Sequence, residues 1–517
     1  TMAGRESIDT LDAVRRHDFS ARDLPGHGLK AVARHFGLAG PAREYVPGAK
    51  IYETYLADPD RVRRYALDDV AEAAGLARLL GGAAFALARM APRRYERLAD
   101  AGAATGVLDP LLVRAYLRAG AALPARPAGD GTVHTGAALY LFATGVARRV
   151  VKADVASLYP SLMRAYRIGP ASDRLGVLLA LVDRLVEQRL AAKARGRAAP
   201  PGSAARYTDE ALSAAMKLLV NSAYGYMAAV GLTRFADVHA ANEVTRRGRA
   251  LLDQVCRALA ERGVTLLEAD TDGVYFAVPD AWSEADERRA VAEVAALLPP
   301  LVTLEFEGRY AAMLSHEPKN YGLLGYDGAV VLRGVAFRSS RAEPFGERFL
   351  RDAVRCLLEG DVAGVQSVYL ATARALSRRE LPTAAVATRV RLTKEPAQYL
   401  ATRAKRRELP YEAMLTHGRS AWAVGERVRV YRAQGGRAGL LPDDAEEPDA
   451  APDPRDYDAA HYVRVLRESF AARLARAFSP DGFRALFEDP SQPSLFARLD
   501  GVTRPILTAR AAPLVAR

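Results

Sequence analysis

Two apolar periods alternate along the chain, one of two residues and one near 3.6, and they predict strands and helices in turn. Two short apolar runs, Val264–Leu267 and Val274–Val278, flank Glu268-Ala-Asp-Thr-Asp-Gly273. This is the pattern of a β-hairpin with its acids at or near the tip. Val150 and Val151 lead into Asp154, and a turn follows at Tyr159-Pro160, so a buried strand ends in a single carboxylate. Ser7–Leu11 reads as a strand end, Leu301–Phe306 as a strand, and Ala421–Tyr431 as a strand pair.

The helical period predicts Gly28–Phe36, then a long element over Asp58–Met90 broken at Gly81-Gly82. A further helix is expected over Asp173–Arg197, with the stripe Leu175, Leu178, Leu179, Val182, Leu185 and Val186. A partner helix follows over Asp209–Tyr224. Its core face is Leu212, Met216, Leu219 and Ala223, and its other face carries Ser213, Lys217, Asn221 and Tyr224. Helices are also expected over Asn242–Arg262, over Glu284–Leu298 with Ser283 as its cap, and over Tyr462–Phe478. Pro442–Asp458 is acidic and Pro-rich and reads as a loop. The mixture predicts an α/β protein of the multidomain α+β kind.

A lone Asp at a strand end is ordinarily a cap or turn residue. Asp270 and Asp272 change its meaning, because buried carboxylates without partners are costly. Three of them converging makes sense if cations neutralise them, and oxygen ligands suit Mg²⁺. Arg189 and Lys193 share one helix face, Lys217 lies on the next helix, and the basic Gly/Pro-rich link Arg195–Gly202 joins the two. A basic helical face is by itself a solvated surface, and the helix faces alone assign no ligand.

Composition narrows the classes. The chain has 517 residues, half of them hydrophobic, and a formal net charge of +12, so it holds several domains and favours a polyanion partner. Its 26% of charged residues amid so many apolar ones excludes a disordered chain. Cys256 and Cys356 lie in helix-like runs and read as reduced buried thiols rather than a disulfide framework. No Cys/His cluster for zinc and no signal peptide is visible, and no run approaches the ~18–20 uninterrupted apolar residues of a bilayer span.

Asp154 followed by Ser157-Leu158-Tyr159-Pro160-Ser161 resembles the first palm motif of family B DNA polymerases, Asp-x-x-Ser-Leu-Tyr-Pro-Ser. Lys217-x-x-x-Asn221-Ser222-x-Tyr224-Gly225 is similar to the fingers motif, and Asp270-Thr271-Asp272 to the acidic hairpin motif. Three motifs in the right order make the resemblance specific. It implies a right-handed polymerase with a palm sheet, helical fingers and thumb, and a partial RNase H-like exonuclease domain. The expected boundaries are the exonuclease-like part at 1–95, a connector at 96–150, the palm at 151–172 and 231–345, the fingers at 173–230 and the thumb at 346–517.

The resemblance also implies roles. Asp154 and Asp272 bridge two Mg²⁺ ions about 3.5–4 Å apart, with the Val155 carbonyl as a further ligand and Asp270 in support. Leu158, Tyr159, Arg189, Lys193, Lys217, Asn221 and Tyr224 bind the incoming dNTP. Tyr159 stacks under the sugar and excludes a 2′-hydroxyl. Thr271, Lys319, Tyr321, Arg338 and Lys394 contact DNA, with Lys319-Asn-Tyr-Gly322 fitting the Lys-x-Tyr element beside the primer strand. Arg338–Arg341 adds basic groups there, and Tyr399, Arg403, Lys405, Arg406 and Arg407 are expected to track the duplex backbone. Gly273 stands where many relatives have Ser, which removes a hydroxyl and is expected to leave metal binding intact. His134-Thr-Gly-Ala137 loosely matches the Tyr-x-Gly-Gly/Ala element, with His in place of Tyr.

Tyr65-x-x-x-Asp69 matches the third exonuclease motif, but the earlier acidic motifs are missing before Asp9, so no proofreading is expected from this chain alone. The reaction implied is template-directed addition of dNTPs to a primer 3′-hydroxyl by a cytoplasmic, nucleoid-associated monomer acting on primer–template DNA, with no membrane. Two alternatives stand beside it: a DNA-binding scaffold that has lost activity, and an acidic-site nuclease, which has no need of Lys217, Asn221 and Tyr224.

Overall fold

The computed structural model describes residues 6–21, 24, 26–91, 93–100, 102–339, 342–441, 453–487 and 504–516. The chain divides into two compact units. One is built from Thr1–Gly136, Ala156–Leu251 and Pro299–Thr303, the other from Ala137–Val155, Leu252–Leu298 and Leu304–Arg517.

The first unit is helical. It begins with α1 (Thr10–Ala21), α2 (Leu29–His35), α3 (Ile51–Ala57), α4 (Pro59–Met90), α5 (Tyr95–Asp100) and α6 (Asp109–Arg118). The strand end expected at Ser7–Leu11 is instead the start of α1, where Asp9 Oδ1 accepts the Leu11 N–H at 2.9 Å and opens a helical turn. Val14, Val32 and Leu76 form a small core between α1, α2 and α4.

Helix α4 starts on Pro59 behind the capping carboxylate of Asp58, which accepts the Arg61 N–H at 3.0 Å. It runs 32 residues without the break expected at Gly81-Gly82. The glycine at 82 serves packing: a Cβ there would lie 2.9 Å from Tyr207 Oη and 3.1 Å from Ala211 Cβ. Among the described residues α4 is the one helix long and apolar enough to cross a membrane; its Leu76, Gly81, Gly82 and Leu87 are buried against the rest of the unit.

The unit continues with α7 (Leu158–Ala165), α8 (Val177–Ala198), α9 (Ala204–Ala228) and the first part of α10 (Val238–Ala260). Helix α8 begins four residues later than the apolar stripe predicts. Asp173 is buried, accepting from Tyr116 Oη and from the Leu178 N–H at 2.8 Å each, and Gly176 turns the chain at φ 64°. Leu175 is therefore exposed, while Leu178, Leu179, Val182 and Leu185 are buried. Helix α9 is capped by Ser203 and buries Met216, Leu219 and Ala223, as its period predicts.

The second unit is organised around β1 (Leu139–Val155), a 17-residue strand rich in β-branched and aromatic residues. With β2 (Thr265–Asp270), β3 (Gly273–Ala277), β4 (Leu304–Glu317), β5 (Asn320–Leu324) and β6 (Val330–Arg333) it forms an antiparallel sheet in the order β2-β3-β1-β4-β5-β6. The start of β1 also pairs with β2 and with β10 (Leu507–Ala516). Between β3 and β4 lies α11 (Glu284–Ala295), where Ser283 and Asp286 form the expected cap reciprocally.

Beyond the sheet come α12 (Pro344–Glu359), α13 (Val362–Ser377) and α14 (Thr383–Val386). A small sheet follows, made of β7 (Thr388–Arg391), β8 (Arg427–Arg432) and β9 (Ala438–Leu441) in that order, with α15 (Pro396–Thr402) and α16 (Leu409–Thr416) between β7 and β8. The strand pair expected in Ala421–Tyr431 is thus one strand whose partners are remote in sequence; Ala421–Glu426 carries no strand, and its Trp422 fills the core beneath. The chain stays helical from α17 (Ala459–Val465) through Ala477, close to the expected Tyr462–Phe478, and α18 (Pro480–Leu486) follows. Residues 442–452 of the expected acidic loop lie outside the described residues. A large aromatic core, with Phe345, Phe349, Tyr369, Tyr457 and Phe470, joins α12, α13 and α17 to one face of the main sheet.

Candidate active site

Strand pairing brings the sequence-predicted acids together in the second unit. Asp154, near the end of β1, stands opposite Gly273 of β3, and Gly273 stands opposite Asp270 of β2. The backbone locks this row: the Val155 N–H donates to the Asp272 carbonyl at 2.7 Å. Thr271 turns the hairpin at φ 55°, and its hydroxyl donates to Asp270 Oδ1 at 3.0 Å. Asp154, Asp270, Asp272 and Gly273 line one cleft of about 280 Å³ together with Lys152, Glu268, Tyr275, Lys319, Tyr321, Arg333 and Gly334.

The next row of the ladder holds residues that sequence reasoning missed. Lys152, Tyr275 and Glu268 stand opposite one another across β1, β3 and β2. The signal was there: Lys152 precedes Asp154 by two, and Glu268 precedes Asp270 by two, so each shares a strand face with an acid. Glu268 is 1% exposed. Its Oε1 accepts the Lys319 N–H at 2.7 Å, while Oε2 is buried without a hydrogen-bond partner. Burial pushes its carboxyl up to about 7, the Lys319 N–H opposing and the Asp270 charge adding to the rise.

The charges in the cleft are unevenly paired. Lys319 Nζ lies 3.1 Å from Asp270 Oδ1, and Lys152 Nζ lies 3.7 Å from Asp154 Oδ1. Asp272 has no ion-pair partner among the described residues. Burial, then the charges of Asp154 and Asp270, raise its carboxyl to about 6. Burial raises Asp154 as well, against the pull of Lys152. Tyr321, expected beside the primer, shares a hydrogen bond of 3.1 Å with the Tyr275 hydroxyl.

In the first unit α7, α8 and α9 carry the residues expected to bind a nucleotide. Lys193, Lys217 and Asn221 are exposed. Arg189 is partly buried, and its Nε has no hydrogen-bond partner. Leu158 is 3% exposed, so its side chain belongs to the core rather than to a ligand surface. The rings of Tyr159 and Tyr224 lie 4.3 Å apart. Tyr224 donates its hydroxyl to His134 Nε2 at 2.6 Å, and His134 Nδ1 donates to Asn242 Oδ1 at 2.9 Å. The tautomer follows from Asn242, whose Oδ1 already accepts the Thr135 N–H and whose Nδ2 donates to the Val133 carbonyl. Burial, and the neighbouring Tyr159, hold the Tyr224 hydroxyl well above its ordinary pKa. His134 is therefore bound to α9 through Tyr224, a link its sequence position did not disclose.

Also in the first unit, Tyr65 and Asp69 lie one turn apart on α4 as expected, but Arg43 occupies their surroundings. Its guanidinium bonds both oxygens of Glu72, at 2.9 and 3.1 Å, and also Asp69. It lies 5.2 Å from the centre of the Tyr65 ring. These acids are neutralised by a protein cation.

Several residues expected to track the duplex have partners within the chain. Tyr399 is fully buried, stacked on Tyr411 at 4.4 Å, so its side chain is a core residue. Lys394 pairs with Glu408 at 2.6 Å and Arg403 with Glu412 at 2.7 Å. β7 and β8 set Arg389 opposite Arg429 and Arg391 opposite Arg427, on the face away from buried Val428 and Val430. The Arg/Val alternation of Arg427–Tyr431 was the available signal. Arg338 donates its N–H to Gly334; Ser340 and Arg341 lie outside the described residues.

Comparison with known proteins accords with this geometry. Residues 170–477 match the family described as DNA polymerase family B. The chain is 25% identical over 515 residues to the DNA polymerase of Thermococcus sp. (strain 9oN-7), covering 92% of this chain and 64% of that protein. It is 26% identical over 412 residues to DNA polymerase 1 of Pyrococcus abyssi (strain GE5 / Orsay), covering 73% and 52%. The solved structure of the family B DNA polymerase from the hyperthermophilic archaeon Pyrobaculum calidifontis matches with a TM-score of 0.67 at 22% identity, over 93% of this chain and 64% of that one. The chain thus spans between half and two thirds of the length of these relatives. With the family match running over more than half its residues, this chain belongs to DNA polymerase family B.

Proposed function

We propose that this chain catalyses template-directed transfer of dNTPs to a primer 3′-hydroxyl, with Asp154 and Asp272 as its metal-binding carboxylates. The observation that carries the reading is their juxtaposition: the β1–β3 ladder and the Val155–Asp272 hydrogen bond put both acids in one cleft. The residues fit magnesium. Asp272 is a half-buried carboxylate raised by burial and then by its acidic neighbours, and the donors are hard oxygens. Among the described residues no three His, Cys, Asp or Glu side chains form a closed cluster. An ion that keeps waters and takes substrate phosphates as ligands needs only one or two carboxylates. Asp154, Asp272 and the Val155 carbonyl would hold two such ions. When bound, magnesium acidifies the primer hydroxyl and stabilises the leaving pyrophosphate.

The chain's own residues do the rest. Lys193, Lys217 and Arg189 neutralise the triphosphate as charge moves toward its leaving end. Tyr159, braced by the Tyr224 ring, excludes a 2′-hydroxyl, and Asn221 and Tyr224 bear on the nascent base pair. Thr271, Lys319, Tyr321 and Arg338 bear on the primer strand. Lys394 and the arginines of β7 and β8 position the duplex through its phosphates, without reading sequence. The expected segments, with exonuclease-like 1–95, connector 96–150, palm 151–172 and 231–345, fingers 173–230 and thumb 346–517, are part of the same reading. So is action as a nucleoid-associated monomer. Proofreading is absent from this activity, since Asp69 is held by Arg43 rather than left for a metal.

Primer extension by the 517-residue chain, with Asp154→Asn and Asp272→Asn as controls, tests the proposal. Extension lost in both variants supports it. DNA binding without extension in the unaltered chain identifies a scaffold instead.

A further inference from the structure

Lys152 shares a face of β1 with Asp154, and its ammonium lies 3.7 Å from Asp154 Oδ1. Its other partner, Glu307, reaches it through an irregularity in β4. Lys152 pairs with Gly308 and Ala153 with Phe306, which leaves Glu307 as an extra, unopposed residue. A bulge of this kind re-aims a side chain, and here Glu307 forms an ion pair with Lys152 Nζ. The lysine is only 20% exposed. The Lys152 ammonium thus stands inside the carboxylate cleft, shared between one cleft acid and one half-exposed acid on the neighbouring strand.

A magnesium ion held by Asp154 would sit about 2.1 Å from a carboxylate oxygen. An ammonium on the same carboxylate repels it at short range, in surroundings that screen poorly. We infer that Lys152 is a built-in competitor that sets the divalent-cation affinity of the Asp154/Asp272 pair, and that Glu307 sets the strength of the competition by drawing the ammonium away from Asp154. This rests on the reading of that pair as metal-binding.

The two residues act in opposite directions, which makes the inference testable without catalysis. Mn²⁺ is titrated into the 517-residue chain, without DNA or nucleotide, and free Mn²⁺ is read by electron paramagnetic resonance. Lys152→Met binds Mn²⁺ about tenfold more tightly, within the usual range of coupling between neighbouring sites. Glu307→Gln binds it more weakly, because the ammonium then rests on Asp154 alone. The double variant behaves as Lys152→Met. Lys152→Arg, which keeps the charge and guards against a folding defect in the methionine variant, shows no tightening. Unchanged or weaker Mn²⁺ binding in a folded Lys152→Met overturns the inference, as does tightening in Glu307→Gln. If Asp272→Asn abolishes binding while Lys152→Met fails to tighten it, only the competitor role falls. If the unaltered chain binds no Mn²⁺, the metal reading falls and takes this inference with it.

Discussion

Gly273 faces Asp154 across the β1–β3 ladder so closely that a Cβ on residue 273 would lie 2.7 Å from Asp154 Oδ1. The glycine therefore does more than omit a hydroxyl: it leaves the space in which the carboxylate stands. Gly273→Val should displace that carboxylate and cut single-turnover extension by about 10²-fold or more, the usual effect of an ångström of misplacement at a reacting centre. A retained melting temperature would separate this from a folding loss.

The rings of Tyr159 and Tyr224 pack against each other at a tilt of 33°. Tyr159→Ala should admit ribonucleotides, lowering the dNTP/rNTP ratio of kcat/KM by about 10²-fold. An unchanged ratio would remove Tyr159 from the role of sugar gate.

His134 holds the Tyr224 hydroxyl through its unprotonated Nε2. His134→Phe keeps a ring and loses the acceptor. Discrimination between matched and mismatched dNTPs should fall about fivefold, the worth of one net hydrogen bond of about 1 kcal/mol. Steady-state insertion opposite each template base provides the measurement.

Glu268 should make stability depend on pH. Its folded pKa of about 7 exceeds the ordinary 4.5, so in this interval the folded chain binds more protons than the unfolded one. Stability then falls as pH rises from about 4.5 through 7. Asp272, raised to about 6, acts with the same sign in the lower part of that window. Glu268→Gln should flatten the upper part of the melting-temperature profile.

Arg43 and Glu72 form a bidentate pair with side chains 2% and 3% exposed. Arg43→Met strands the acid and should cost about 3–5 kcal/mol in denaturant titrations, whereas Arg43→Met with Glu72→Met should recover most of it.

Local patterns disclosed the parts of this protein that depend on neighbours in sequence. The acidic hairpin, the cap at Ser283 and the buried face of α9 are all written in residues a few positions apart. What stayed hidden depends on pairing between distant segments. Lys152 is unremarkable until β4 delivers Glu307, and Glu268 is one more acid until the Lys319 turn closes over it. Gly81-Gly82 reads as a helix break because glycine usually is one; only the approach of Tyr207 and Ala211 makes residue 82 a packing site. Tyr399 and Arg403 sit in a basic run, yet tertiary packing commits one to the core and the other to Glu412.

The extra residue in β4 has an evolutionary corollary. Because Glu307 is surplus to the ladder, deleting it would restore ordinary pairing between β1 and β4 while leaving the acidic hairpin untouched. A single-codon insertion or deletion would thus add or remove the counter-charge on Lys152 while leaving the pairing of β1 with β3 as it is.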